Sequence, residues 1–181
     1  MTSIALFTAD PWESAMPVIR VRAPARHAGI EVIQGNLADK IDFTVLEKCD
    51  AITIQRDFPR FPGYDDLIRA AREKGIPISY ECDDMILEVP RKHISRSAYI
   101  DVLFRILRGA CDADVVTVST SLLLDYFKPF NENVRLFPNY LDDTIWKVTP
   151  PDRTIHDRQV ITIGYMGGAS HAPDLEWIAP V

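Results

Sequence analysis

Short runs rich in Ile and Val recur along this chain, with helical patterns between them, and this alternation constrains the fold more than any other feature. Candidate strands are Ser3–Thr8, Glu31–Gln34, Ala51–Gln55, Pro77–Glu81, Asp114–Ser119 and Asn133–Phe137, each bounded by Gly, Pro, Asp or Asn. Tyr64, Leu67, Ile68 and Ala71 fall at i, i+3, i+4 and i+7, one apolar helical face. Pro62 stands ahead of that helix and Gly75 past its end. A longer helix is expected from about Ser95 to about Cys111, with Tyr99, Val102, Leu103, Ile106 and Ala110 on one side. Ser119 or Thr120 can cap a further helix, Ser121 to Phe127. Such alternation implies right-handed crossovers and an α/β fold: a mostly parallel sheet with helices on both faces. Ligands of such sheets bind beyond the carboxyl ends of the strands, which here means residues 9–17, 56–62, 81–95, 119–121 and 138–143.

Composition narrows the function. The chain of 181 residues carries a net charge of −6 with a pI near 5.2, against the basic balance of a dedicated nucleic-acid binder. Cys49, Cys82 and Cys111 are odd in number and far apart, so neither a zinc site nor a disulfide framework is expected, and a reducing compartment is the simplest inference. The N-terminus lacks a signal-peptide pattern, and no run approaches the ~18 apolar residues of a membrane span. A cytoplasmic location follows as the expectation, with peripheral membrane contact left open.

Several strand ends carry candidate chemistry. The segment from Ala9 to Pro17 has no Gly-x-Gly-x-x-Gly, so a nicotinamide-dinucleotide domain is unsupported. Pro17 is expected to begin a helix with Arg20 and Arg22 near its start; a helix N-terminus plus arginine holds an anion, or the two are surface arginines. The fourth strand ends in Tyr80-Glu-Cys-Asp-Asp84. Glu81, Asp83 and Asp84 crowded at a sheet mouth raise at least one carboxyl pKa, which suits a general base or a clamp on an acceptor hydroxyl; alternatively Asp83 and Asp84 terminate the strand and cap the next turn. Metal is disfavoured by so sparse a ligand set. Arg91, Lys92, His93 and Arg96 form a positive cluster, read either as a site for a phosphorylated or lipid-phosphate acceptor or as a solvated loop. His93 is a candidate base because histidine titrates near neutrality. Ser119 and Thr120 either bind ligand or cap the following helix. Asn139, after Pro138, is a turn former.

Near the end, Ile161-Thr-Ile-Gly-Tyr-Met-Gly-Gly168 reads as a strand entering a glycine-rich turn, the way a new α/β unit begins. The stretch Lys147 to Arg158, with paired prolines and mixed charge, reads as a linker. The expected organisation is a domain over 1–146, a linker over 147–158, and the first strand and turn of a second, truncated domain over 159–181.

Asp112-Ala-Asp-Val-Val-Thr-Val-Ser-Thr120, Phe137-Pro-Asn-Tyr-Leu-Asp142 and Ile163-Gly-Tyr-Met-Gly-Gly168, in that order, resemble landmarks of retaining glycosyltransferases of the two-domain GT-B architecture, group 1 or family 4. The resemblance is most specific over 76–171. It implies a Rossmann-like N-terminal domain that holds the acceptor, a saccharide or lipid-linked saccharide. The C-terminal domain would bind a nucleotide-sugar donor as substrate, with no metal or resident cofactor. Gly164, Gly167, Gly168 and His171 then match the loop nearest the donor phosphates. Asp83, Asp84 and His93, the catalytic candidates, would lie across the cleft on the acceptor side. Arg20, Arg22, Glu81, Ser119, Thr120 and Asn139 match the acceptor side. Other members often carry histidine at the fourth-strand mouth, where this chain has Tyr80-Glu-Cys-Asp-Asp84. The Glu-x7-Glu element of the family's second domain is not in the chain, so this polypeptide alone is expected to be inactive. The competing reading is a non-catalytic α/β binding or assembly module completed by a partner chain.

Overall fold

The computed structural model describes residues 1–140 together with Asp142, Lys147, Thr149, Gly164, Leu175, Glu176 and Ile178. Among the described residues eight strands form: β1 (Ser3–Phe7), β2 (Glu31–Gln34), β3 (Asn36–Leu37), β4 (Lys40–Ile41), β5 (Ala51–Gln55), β6 (Ile78–Cys82), β7 (Val115–Val118) and β8 (Val134–Leu136). Six of them build one sheet in the order β2-β1-β5-β6-β7-β8, every pairing parallel. The helices are α1 (Ala15–Pro17), α2 (Ala23–His27), α3 (Tyr64–Glu73), α4 (Arg96–Ile100), α5 (Leu103–Asp112) and α6 (Ser121–Phe127). They cover both faces, so the fold is α/β and Rossmann-like.

The two faces differ in chemistry. One presents Ala5, Phe7, Ile52, Ile54, Ile78, Tyr80, Val116 and Val118, all fully or almost fully buried. Against it pack Leu67 and Ala71 of α3, Ile106 and Ala110 of α5, and Leu123 and Phe127 of α6. The expected α3 face is thus the buried one, with Ile68 at its margin. The other face presents Thr53, Gln55, Ser79, Glu81 and Thr117, with Thr53 Oγ1 and Ser79 Oγ 2.8 Å apart across the β5–β6 pair. Residues 15–27 lie over this polar face. Polar groups there need partners, and that need organises the site.

Two expectations change. Pro17 does not begin the first helix; α1 starts at Ala15, and a wide π turn over Val18–Arg22 joins it to α2. The Ala23 N–H reaches Val18 O, five residues back. Pro24 explains the widening: it has no N–H to give to Arg20, and its ring pushes that carbonyl away. The single helix expected over 95–111 is two, α4 and α5, broken at Asp101 and Val102. The antiparallel β3–β4 ribbon was not foreseen, because two-residue strands carry no alternation to read. Strand ends otherwise shift by a residue, within the usual fraying.

Gly35 and Asn36 fix the turn after β2. A Cβ on Gly35 would lie 2.6 Å from the Phe7 ring, so only glycine lets the chain pass. The Asn36 side chain then acts as a strand: its Oδ1 accepts from Thr8 N at 2.9 Å and its Nδ2 donates to Thr8 O at 2.8 Å. Thr120 Oγ1 accepts from Leu123 N at 3.2 Å and caps α6. The linker and second-unit assignments over 147–181 fall almost wholly outside the described residues.

Candidate functional site at the carboxyl edge of the sheet

Two charged pairs meet where β5, β6, β7 and β8 end. The first joins the helical segment to the sheet. Arg20 Nε donates to Glu81 Oε1 at 2.7 Å, with both side chains almost wholly buried. Arg20 Nη1 donates to Phe137 O at 2.7 Å and to Asn139 Oδ1 at 2.8 Å. Gln55 Nε2 donates to the other Glu81 oxygen at 2.9 Å. Burial pushes the Glu81 carboxyl upward, against the pull of Arg20 and of the Gln55 hydrogen bond. This pair is structural: one guanidinium holds β6, the wide turn and the segment after β8 in a single geometry.

The second pair is looser. Arg56 Nε and Asp83 Oδ1 lie 3.8 Å apart, an ion pair too long to be a hydrogen bond. Both atoms are buried without a hydrogen-bond partner among the described residues. Arg56 holds a left-handed backbone, φ 49°, a strained state for a non-glycine residue. Its peptide is pinned from both sides, because its N–H donates to Glu81 O at 2.8 Å and its carbonyl accepts from the Tyr80 hydroxyl at 2.8 Å. Burial pushes the Asp83 carboxyl above its ordinary value, partly offset by Arg56. Burial works against the Arg56 charge, but Asp83, Tyr99 and Asp10 outweigh it and keep the guanidinium charged. Asp10 is likewise raised by burial.

A pocket of about 200 Å³ is lined by Met16, Ile19, Arg20, Asp83, Asn139 and Tyr140. Two of these carry buried unpaired atoms: Arg20 Nη2, a donor, and Asp83 Oδ1, an acceptor. Each costs free energy unless something fills it, by roughly 1–3 kcal/mol for a buried unsatisfied group. Glu81 offsets Arg20 and Arg56 offsets Asp83, so the wall offers hydrogen bonds with little net charge. Tyr140, 73% exposed, adds an aromatic face at the rim.

The remaining candidates are placed as follows. Arg22 donates to Trp12 O at 2.7 Å and stacks on the Trp12 ring. Arg20 and Arg22 are therefore not a surface pair. Glu81 is consumed by Arg20 and Gln55 and does not form a carboxylate cluster open to solvent. Asp84 is exposed, and its Oδ1 accepts from Met85 N, as a turn cap does. Ser119 Oγ donates to Asp83 O at 2.7 Å, steadying the residue before the turn, while Thr120 is occupied as the α6 cap. His93 sits in the segment before α4, where its Nδ1 accepts from Ser95 N at 3.1 Å. The structure brings Arg20, Asp83 and Asn139 together; Asp84 and His93 do not line their pocket. Gly164 is exposed with open space around it, and Gly167, Gly168 and His171 lie outside the described residues. Burial pushes the Cys82 thiol up to about 12, which leaves it unreactive. Among the described residues no three His, Cys, Asp or Glu side chains converge as metal ligands, and no helix is long and apolar enough to cross a membrane.

Residues 56–62 were marked by topology, yet nothing singled out Arg56, because a left-handed arginine has no signature in sequence. Gln55 was equally silent. Comparison with protein-family models and with curated proteins returns no match to this chain.

Proposed function

We propose that this chain is the acceptor-binding side of a glycosyltransferase, and that the pocket beside Asp83 receives a hydroxyl-bearing group of a saccharide acceptor. The observation that carries the reading is the pairing of one unpaired donor, Arg20 Nη2, with one unpaired acceptor, Asp83 Oδ1, on side chains that line the same small pocket. A sugar hydroxyl both accepts and donates, so neighbouring hydroxyls satisfy both atoms; a phosphate satisfies only the arginine and repels the aspartate. The near-neutral wall and the exposed Tyr140 ring suit a polyol with apolar C–H faces. The ordered motifs from Asp112 to Gly168 support the same class by resemblance.

In this reading Asp83 accepts the hydrogen bond of the acceptor hydroxyl and holds its oxygen in place, a contact that needs the carboxylate form. Arg20 and Asn139 orient the neighbouring hydroxyl. The sugar donor, a nucleotide sugar, would be held by a C-terminal domain, to which Gly164, Gly167, Gly168 and His171 are assigned on resemblance alone.

Equilibrium dialysis of the intact chain against labelled mono- and disaccharides, with free nucleotides alongside, tests the proposal. Saccharide binding in the millimolar range with negligible nucleotide binding is expected. Nucleotide binding without saccharide binding, or binding of neither, would overturn it.

A further inference from the structure

A second surface lies between β6 and α5. Residues 91–105 carry four basic side chains, Arg91, Lys92, Arg96 and Arg105, against one acidic, Asp101, in a chain whose net charge is −6. Large apolar side chains of the same segment face water: Phe104 is 86% exposed, Ile94 75% and Ile100 46%. Scattered exposed apolar residues are ordinary, but a group of them interleaved with basic residues is not.

The backbone explains why they gather. Tyr99 N bonds Ser95 O, Val102 N bonds Tyr99 O and Ile106 N bonds Val102 O, so α4 and α5 follow one another with only Asp101 and Val102 between them. Ile100, the last residue of α4, and Phe104, in the first turn of α5, flank that break, and both are exposed. The other side is already used: Ile106 is in the core, with Tyr99 and Val102 packed against it. Exposed apolar side chains in addition to that buried face exceed what a surface helix needs for its own folding. Beside Ile100 is a cleft of about 370 Å³, whose lining includes Val89, Pro90, Arg91 and Arg96, with Glu88 the acidic side chain in its wall. Arg96 Nη1 donates to Val89 O and shapes that wall, while Arg91 and Lys92 are exposed.

We infer that this surface docks on an anionic lipid membrane, with Ile94, Ile100 and Phe104 entering the headgroup–acyl boundary while Arg91, Lys92 and Arg105 meet lipid phosphates. Charge complementarity selects this occupant. The patch is basic on an acidic protein, so attraction to an anionic surface is local and orients the molecule, holding the acidic remainder away. Apolar burial at the interface supplies the rest of the affinity. The inference stands on this patch alone and does not depend on the sugar-transfer reading.

Flotation of the intact chain with phosphatidylcholine vesicles, with and without phosphatidylglycerol, tests it. Binding is expected only with phosphatidylglycerol and is expected to weaken as salt rises. Replacing both charges, Arg91→Gln with Lys92→Gln, is expected to lower partitioning roughly tenfold or more, given the worth of each cation near an anionic surface. Phe104→Ser is expected to lower it about fivefold through lost apolar burial. These side chains are exposed, so unchanged thermal melting confirms that folding is intact. Equal flotation with both vesicle types, no flotation with either, or a dimer by light scattering that Phe104→Ser converts to monomer would each overturn the inference, the last in favour of self-association.

Discussion

Arg20 and Glu81 are 61 residues apart in sequence, yet their side chains meet at 2.7 Å, each shielded almost completely from solvent. This contact ties the wide turn before α2 to the end of β6, and through Asn139 it fixes the wall of the pocket. Removing one partner leaves a buried charge. Arg20→Met is expected to lower the unfolding free energy by about 3–5 kcal/mol. Pairing it with Glu81→Leu is expected to restore more than half of that loss, since a hydrophobic pair replaces an ionic one. Urea denaturation of the single and double variants measures both; a double variant as unstable as the sum of the singles would show that the pair is not a unit.

Gly109 lets α5 pack tightly against Tyr80 of β6. A Cβ there would lie 2.6 Å from Tyr80 Cε2 and 2.9 Å from Pro59 Cγ. Gly109→Ala gains helix propensity but overpacks this contact, and a net loss of about 1–3 kcal/mol is expected. The Tyr80 hydroxyl also holds the Arg56 carbonyl, so the same variant is expected to disturb the Arg56–Asp83 spacing. A thermal melt at or above the parent's would contradict this.

Asp114 gives a pH signature of the fold itself. Burial raises its carboxyl, but the Ile78 amide at 2.8 Å and Arg72 at 2.5 Å outweigh burial and hold it below the ordinary 3.8. A depressed folded-state value means stability present above the unfolded value and lost as pH falls through the folded one. Asp114→Asn is therefore expected to be less stable than the parent at neutral pH, with the gap closing below the ordinary value. A constant gap across that range would contradict the assignment.

The sheet was legible because strand-period and helix-period runs alternate from Ser3 to Leu136, and the apolar face of α3 was legible because burial follows its i, i+3, i+4 pattern. Periodicity cannot report the pairing of residues distant in sequence. Arg20 read either as an anion holder near a helix start or as a surface cation, and only the polar face of the sheet, with Glu81 and Gln55 on it, makes a buried arginine favourable. Asp83 was visible as a carboxylate at a strand end. Its partner Arg56 was not, since its position depends on a left-handed turn held by Tyr80.

Asp83 gives the site its own pH dependence. Burial, partly offset by Arg56, raises its folded-state value. The associated stability is full below the unfolded value and declines as pH rises through the folded one, so the carboxylate form at neutral pH costs stability. Saccharide binding needs that carboxylate and is expected to fade on acidification at a pH above the ordinary carboxylate value of 3.8. Binding in Asp83→Asn is expected to be weaker and flat with pH. A parent profile equally flat would remove Asp83 from the site.

The most direct test of the central claim is methyl-resolved NMR of the intact chain, following Met16 and Ile19 as simple methyl glycosides are added to the parent and to Asp83→Asn. Saturable shifts at both methyl groups for at least one glycoside, lost in Asp83→Asn while the core methyl groups of Ile52 and Ile54 stay in place, are the predicted result. No glycoside-dependent shift at Met16 and Ile19, or shifts that persist unchanged in Asp83→Asn, would contradict it.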